Sequence, residues 1–316
     1  MNGAWDSALG AQIEAFIAFK RAMGAAYLQG EYYLRRFDAH LAREGLSRVS
    51  REACEGFIAE VGAGRPDASR NWVSCLRGLA RWMRRHGDPG AWEPPSYPAP
   101  PRPATYLFRD QELDAFFAQA AAHDGPAPWR WQAKAFFALM HSCGLRTGEA
   151  RRLDRAGVDL DGLAVTVRDS KGPRTRVLPI TGEVAAVLAD CDRSNDRWRP
   201  GREPLFVSAS GARLGHSAPA RVFNQIWDAA GLPRPAEPPY PRAYDLRHHF
   251  AYANLERWAA AGADTAALLP YLARYMGHAS PQSTLYYLHV SPDFIASYDQ
   301  LARATEGLLP EAGFDA

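Results

Sequence analysis

Apolar positions recur every three or four residues through the first part of the chain, which is the period of an amphipathic helix. The first two groups are Ile13, Phe16 and Ile17, then Leu34, Phe37 and Leu41. No alternating strand pattern interrupts the segment up to Trp92. The pattern therefore predicts an all-helical region over residues 13–92.

The last helix of this region is strongly basic on the sides away from its apolar stripe. Val73, Leu76, Ala80 and Met83 share one face. The arginines on the other faces are Arg70, Arg77, Arg81, Arg84 and Arg85. A charged helix face is usually a solvated surface, so the helix by itself favours solvent contact over DNA contact.

A proline-rich segment follows, with Pro94, Pro95, Pro98, Pro100, Pro101 and Pro103. Such a segment cannot form a helix and adopts a stiff, extended conformation. A chain of 316 residues is also long for one hydrophobic core. We therefore expect a helical domain over residues 1–92, a linker over 93–104 and a second domain over 105–316.

The second domain is predicted to be helical around a single β-hairpin. Leu163, Val165 and Val167 alternate with less apolar residues, and a second apolar run covers 177–180. Ser170-Lys171-Gly172-Pro173 between them is a turn sequence that places Lys171 near the hairpin tip. Helices are predicted at 112–122, 129–141, 218–230, 246–260, 266–275 and 281–288, with a short apolar stretch at 205–207. The predicted fold class is mainly α with a small β-hairpin, an α+β domain after a helical one.

Composition narrows the classes of protein without choosing one. No apolar run approaches the roughly 20 residues of a membrane span, and the first residues lack the order of a secretory signal, so we expect a cytoplasmic protein. The four cysteines lie far apart, which favours buried thiols over disulfides or a zinc site. A net charge of +2 permits nucleic-acid binding without requiring it. Most of the cations are arginines, whose planar fork suits phosphate oxygens.

Four local motifs follow one another along the second domain. Together they supply two arginines, a lysine on a turn, a histidine and a tyrosine. The motifs are His141 to Glu149 (HSCGLRTGE), Ser170 to Gly172 (SKG), Tyr244 to His248 (YDLRH), and Gly277-His278 followed by Thr284 to Val290 (TLYYLHV).

This set of side chains suits the cleavage of a phosphodiester. Arg146 and Arg247 are candidates to neutralise the charge that develops on the phosphate. A tyrosine hydroxyl, for which Tyr287 is the candidate, can form a phosphotyrosine that a second hydroxyl later attacks. Lys171 on the hairpin turn is placed to give a proton to the leaving oxygen.

The motifs resemble those of the tyrosine recombinase family, also called the phage integrase family, and the resemblance covers essentially the whole chain. It implies that Arg146 and Arg247 are the two catalytic arginines and that Glu149 is a supporting carboxylate. It also implies that Lys171 is the hairpin lysine, that His278 is a phosphate-binding histidine and that Tyr287 is the nucleophile. In this family the helical first domain is a core-binding domain. The resemblance therefore makes the basic helix a candidate DNA contact, with Arg70, Arg77, Arg81, Arg84 and Arg85.

The resemblance also implies a mechanism and partners. Such enzymes grip double-stranded DNA as a C-shaped clamp, act as a homotetramer on two DNA sites, and exchange strands through a 3'-phosphotyrosyl intermediate and a Holliday junction. They need neither a metal nor a nucleotide cofactor. The resemblance implies site-specific recombination of the integrase or transposase type, and it leaves room for accessory DNA-bending or directionality proteins. A tail helix after Tyr287 is expected to dock either on a neighbouring protomer or on its own domain.

One position departs from the family pattern. Tyr244 stands where the family usually has a histidine. A phenol is a poor general base at neutral pH because its reference pKa is near 10. We hypothesise that Tyr244 positions the phosphate and does not accept the proton of Tyr287.

Alternative interpretations stay open at this point. Each residue alone has an ordinary explanation, such as an arginine paired with Glu149 on a helix surface or a solvated turn lysine. Tyr286 is the second candidate nucleophile, and His248 and His249 are as consistent with packing as with chemistry. A type IB topoisomerase and a catalytically silent DNA-binding protein of the same fold are the two alternative functions.

Overall fold

A computed structural model of the chain describes residues 4–62, 66–96, 105–168 and 175–278. The chain divides into two compact units, Met1–Pro101 and Arg102–Ala316, and the division falls inside the predicted linker. Lys171, Tyr286, Tyr287 and the predicted helix over 281–288 lie outside the described residues. No helix in the described part of the chain is both long and apolar enough to cross a membrane.

The smaller unit contains four described helices around one hydrophobic core. They are α1 (Gly10–Ala22), α2 (Leu28–Arg43), α3 (Arg51–Gly62) and α4 (Pro66–Arg85). The predicted apolar stripe of α4 is buried in this core together with Phe16, Phe37 and Phe57. Burial of each such side chain contributes roughly 1.5–3 kcal/mol. The helical interpretation of this region is therefore confirmed.

The larger unit combines helices with a three-stranded sheet. Its helices are α5 (Asp110–Ala121), α6 (Trp129–Cys143), α7 (Thr147–Arg151), α8 (Gly182–Trp198), α9 (Ala218–Ala229), α10 (Asp245–Ala260) and α11 (Thr265–Met276). Aromatic side chains from α5, α6 and α9 pack together in the core, where Phe137 lies edge to face against both Phe116 and Phe223. The cysteines of both units, Cys54, Cys75, Cys143 and Cys191, are buried free thiols, as predicted.

The sheet is antiparallel, in the order β1 (Val158–Asp159), β2 (Ala164–Arg168) and β3 (Thr175–Pro179). In the hairpin Val165 pairs with Leu178 and Val167 pairs with Arg176. Val165, Val167 and Leu178 are buried. The predicted hairpin is therefore present, and one short strand is added to it.

Several details differ from the sequence prediction. Leu163 was expected in a strand, but it has a φ of 50° and precedes β2. The 17-residue helix α8 was not predicted, although its buried Val184, Leu188 and Cys191 follow helical spacing. The stretch at 205–207 joins no named strand and forms only an isolated bridge from Val207 to Arg213.

Two buried amide side chains form hydrogen bonds with the backbone of residues 205–207. Gln132 on α6 donates to the carbonyl of Val207 at 2.9 Å and accepts from its N–H at 3.2 Å. Asn195 donates to the carbonyl of Leu205 at 3.0 Å and accepts from Trp131 Nε1 at 2.7 Å. Side chains thus pair the buried N–H and carbonyl of Val207 and the carbonyl of Leu205, while the N–H of Leu205 donates to the carbonyl of Leu153 at 2.9 Å.

We expect Gln132→Leu to lower the free energy of unfolding by about 2–4 kcal/mol, because it removes the side-chain partners of the Val207 N–H and carbonyl and one of the partners of the Asn195 amide. Denaturant unfolding followed by tryptophan fluorescence measures this loss. Gln225→Leu, on an exposed face of α9, is the matched control and should change stability by less than about 0.5 kcal/mol. Equal effects of the two variants would contradict the network.

Candidate active site

Arg146 and Glu149 are placed by the junction of α6 and α7. Gly144 ends α6 with a φ of 60°, and Arg146 is the residue that caps the start of α7. Glu149 Oε2 accepts from the backbone N–H of Arg146 at 2.9 Å, and its Oε1 accepts from Arg146 Nη1 at 2.7 Å. The carboxylate therefore satisfies one of the unpaired N–H groups at the helix start and holds the arginine side chain.

The same local device begins two other helices of this unit. Glu112 accepts from the backbone N–H of Arg109 before α5, and Asp245 accepts from that of Arg242 before α10. Each carboxylate also accepts from the side chain of its arginine. The pairing of Arg146 with Glu149 is thus a way of starting a helix that this unit uses repeatedly. What distinguishes this pair from the other two is the set of residues around it.

Glu149 is surrounded by three guanidinium groups. Besides Arg146, it accepts from Nη2 of Arg176 on β3 at 2.8 Å, and Nη1 of Arg247 lies 3.8 Å from its Oε2. The Glu149 side chain is only 2% exposed. Burial raises the pKa of this carboxyl, but its hydrogen bonds to Arg176 and Arg146 and their charges outweigh burial and hold the pKa below its ordinary value. Glu149 is a buried carboxylate with positive charge in excess around it.

Arg247 connects the first turn of α10 to the ends of two other helices. Its Nη1 donates to the carbonyl of Gly144 at the end of α6. Its Nη2 donates to the carbonyl of Met276 at the end of α11 and to Nε2 of His278, both at 2.8 Å. Carbonyls at helix C-termini carry partial negative charge, so they suit a cation. The Arg247 side chain is fully buried in this setting.

Arg146 is braced at the same helix end and is the more exposed of the two arginines. Its Nη2 donates to the carbonyl of Gly277 at 2.9 Å, and its side chain remains 33% exposed. Gly277 has a φ of 66°, which favours glycine. A Cβ at this position would also lie 2.6 Å from Nη1 of Arg176. Glycine at position 277 is thus favoured by the backbone conformation, and it lies beside the guanidinium of Arg176.

His278 is a neutral imidazole near neutral pH. Burial, followed by the charges of Arg247 and Arg146, lowers its pKa to about 3. Because Nε2 faces the donor Nη2 of Arg247, the ring proton lies on Nδ1. His278 can therefore donate a hydrogen bond without carrying charge.

Tyr244 lies immediately before α10 and is 40% exposed. Its ring packs edge-on against His248, with 4.8 Å between ring centroids. Burial, with the charges of Arg247 and Arg242, lowers the pKa of His248 to about 4. Neutral His248 therefore packs against Tyr244, the residue that stands where the family usually has a histidine.

The structure brings together four of the predicted residues: Arg146, Glu149, Arg247 and His278. Lys171 and Tyr287 lie outside the described residues, so their roles stay predictions. Arg176 was missed by the sequence interpretation. A signal for it exists, because on β3 it faces the same side as the buried Leu178, where a charged residue is unexpected.

The arginines of α4 have a different environment in the smaller unit. Arg77, Arg81 and Arg84 all pair with Glu93, with N–O distances of 2.7, 2.8 and 3.6 Å. The hydrogen bond from Arg81 and the charges of these arginines lower the pKa of Glu93. Arg85 is exposed, and Arg70 is half-buried. Three of the five predicted DNA contacts thus share one carboxylate at the start of the linker.

The structure shows no group of three or more His, Cys, Asp or Glu side chains that could hold a metal ion within residues 4–62, 66–96, 105–168 and 175–278.

Sequence comparison places these residues among known proteins. Residues 108–293 match the phage integrase family. The putative integrase/recombinase y4rE of Sinorhizobium fredii is 30% identical over 301 residues, which cover 91% of this chain and 94% of that protein. The tyrosine recombinase XerC of Rhodospirillum centenum is 35% identical over 257 residues, covering 77% of this chain and 68% of that protein.

Solved structures share the fold. A XerH site-specific recombinase bound to its palindromic difH substrate has a TM-score of 0.60 at 16% identity, covering 86% of this chain and 78% of that one. A lambda integrase tetramer bound to a Holliday junction has a TM-score of 0.60 at 15% identity, covering 88% of this chain and 76% of that one. The predicted fold class, mainly helical with a small sheet, is confirmed.

Proposed function

This chain belongs to the phage integrase family, and we propose a mechanism by which its residues cleave and rejoin DNA strands. The chain is a tyrosine recombinase, a site-specific enzyme of DNA strand cleavage and joining. In the proposed reaction the hydroxyl of Tyr287 gives up its proton to solvent, attacks a DNA phosphate and forms a 3'-phosphotyrosyl bond. The 5' oxygen leaves with a proton from Lys171, and the 5' hydroxyl of another strand later attacks the phosphotyrosine. The bond energy is conserved, so the steps need no metal or nucleotide cofactor.

The observation that carries this proposal is the arginine cluster around Glu149. Three guanidinium groups face a single carboxylate, and His278 beside them is neutral. The excess positive charge suits the charge that develops on a phosphate during attack. Arg146 is held by Glu149 and Gly277 and is still partly exposed, so it is the arginine best placed to donate to a phosphate oxygen.

We extend the proposal to assembly on DNA. The lambda integrase structure is a tetramer on a Holliday junction, and a homotetramer of this chain on two DNA sites follows the same scheme. The smaller unit then serves as the core-binding domain, with α4 as a DNA contact. Accessory DNA-bending or directionality proteins are compatible with this scheme.

The nucleophile is tested by trapping. Wild-type and Tyr287→Phe proteins are incubated with a library of nicked duplexes that includes DNA flanking the gene, and protein-linked DNA is sought after denaturation. We expect an adduct in the wild type and none in Tyr287→Phe, because the phenylalanine has no oxygen to form the ester.

Other results of this assay distinguish the alternatives. An adduct that survives Tyr287→Phe transfers the role to Tyr286 or another tyrosine. Salt-sensitive binding without any adduct favours a silent DNA-binding protein, and relaxation of a plasmid without a specific site favours a type IB topoisomerase.

The role of Tyr244 is tested at the same step. We expect Tyr244→His to raise the single-turnover cleavage rate at neutral pH, because an imidazole accepts a proton near this pH and a phenol does not. Tyr244→Phe should lower the rate by less than about 10-fold if the hydroxyl only positions the phosphate. A rate for Tyr244→His at or below that of wild type would contradict the view that tyrosine is a poor substitute.

The DNA-facing role of α4 is tested through Glu93. We expect Glu93→Gln to tighten binding to duplex DNA, because Arg77, Arg81 and Arg84 lose a competing carboxylate. The slope of log affinity against log salt should become more negative by about 1 or more. Filter or fluorescence binding over a salt series measures both quantities.

Glu55→Gln is the matched control, since Glu55 pairs with Arg51 on the exposed surface of α3 in the same unit. It removes the same charge at a different place. If both variants tighten binding equally, the effect comes from net charge and α4 is not the contact surface.

A further inference from the structure

We propose that Arg176 is a positioning residue for strand cleavage, because its guanidinium contacts both groups that hold Arg146, the Glu149 carboxylate and Gly277. The inference rests on the proposed function, since Arg146 is the residue being aimed. Arg176 itself touches no reacting atom in this scheme; it acts through Arg146.

The first contact is an ion pair between strand and helix. Nη2 of Arg176 on β3 donates to Glu149 Oε2 at 2.8 Å, and Glu149 Oε1 holds Arg146 Nη1 at 2.7 Å. The Glu149 carboxylate therefore lies between the two arginines. Its position depends on the strand as well as on the helix that carries it.

The second contact lies on the other side of Arg146. Nη1 of Arg176 lies beside Gly277, 2.6 Å from where a Cβ would stand, and the carbonyl of Gly277 accepts from Arg146 Nη2 at 2.9 Å. Arg176 thus supports both fixed points of the Arg146 fork.

The environment of Arg176 also argues against a role in stability alone. Its side chain is only 15% exposed, and its Nε is buried with no hydrogen-bond partner among the described residues. A buried donor without a partner costs free energy, and the inward face of a strand normally carries an apolar side chain. The packing of the strand alone therefore does not account for an arginine at this position.

The kinetic test is a double-mutant cycle on the covalent-adduct reaction. We expect Arg176→Gln to lower the single-turnover rate by about 10- to 100-fold, the size expected when a catalytic group is misplaced by about 1 Å. Glu149→Gln should cause a similar loss. The double variant should be no slower than the worse single variant by more than about 3-fold, because both changes remove the same support of Arg146.

Two further variants keep the cycle interpretable. Arg193→Gln removes an arginine from an exposed pair with Asp190 and should leave the rate unchanged. Arg176→Lys keeps the charge and should recover part of the rate, which covers the case in which Arg176→Gln fails to fold. Losses that multiply in the double variant, with Arg176→Lys as slow as Arg176→Gln, would overturn the proposal.

A second measurement does not depend on cleavage. The carboxyl of Glu149 is followed by NMR of protein labelled with 13C-glutamate, and its signal is assigned by its loss in Glu149→Gln. The charged groups facing this carboxyl are Arg146, Arg176 and Arg247, with His278 beside them. Removing the Arg176 cation raises the pH at which Glu149 takes up a proton. The acid limb of the cleavage profile should move to higher pH by the same amount, and Arg176→Lys should leave it in place.

The two measurements separate the two ideas. An unchanged titration of Glu149 in Arg176→Gln overturns the inference about Arg176, even if the wild type forms the adduct. A shifted titration without any wild-type adduct overturns the proposed function and leaves the coupling of Arg176 to Glu149 standing as a property of the site.

Discussion

The buried carboxylate of Glu149 is the interaction on which the candidate site depends. An ionised carboxylate removed from water is strongly unfavourable unless charges and hydrogen bonds compensate it. Here the compensation comes from three separate elements, the start of α7, strand β3 and the first turn of α10. Loss of any one partner leaves the others imperfectly paired. The site is therefore specified as a unit, and the sheet is part of it.

Helix ends provide the second support. Gly144 and Gly277 both terminate helices in the left-handed conformation, and the carbonyls of these two residues accept from Arg247 and Arg146, respectively. The glycines therefore do two things: they end the helices, and they present backbone oxygens to the arginines. Since these oxygens belong to the ends of packed helices, the guanidinium groups are fixed before any phosphate arrives, which reduces the reorganisation required during reaction.

In the smaller unit, too, several arginines pair with one carboxylate, but these ion pairs lie on α4 and at the start of the linker. Arg77, Arg81 and Arg84 are drawn to Glu93, which directly precedes the prolines of the linker. Exposed ion pairs of this kind contribute little to stability, about 0–1 kcal/mol each. They do limit how much positive charge α4 presents. A basic helix in sequence is thus less basic in the folded unit than its composition indicates.

Much of the fold and part of the site could be predicted from the sequence. Helical periodicity identified the core of α4, and strand alternation identified the hairpin of β2 and β3, because local spacing decides which side chains can share a face. The sequence motifs identified Arg146, Glu149, Arg247 and His278 as site residues. Helix α8 was missed although its apolar residues follow helical spacing, whereas the bonds of its buried Asn195 to Trp131 and Gln132, far away in sequence, follow only from folding. The contacts of Arg176 likewise depend on the tertiary structure. Only folding places its guanidinium 2.8 Å from a carboxylate 27 residues earlier and against a glycine at the end of α11.

The sequence determined which residue types were available and in what order. The pairing of buried charges was decided by the packing of elements that are distant in sequence. The reason is that electrostatic compensation depends on distance in space, which local spacing along the chain does not encode.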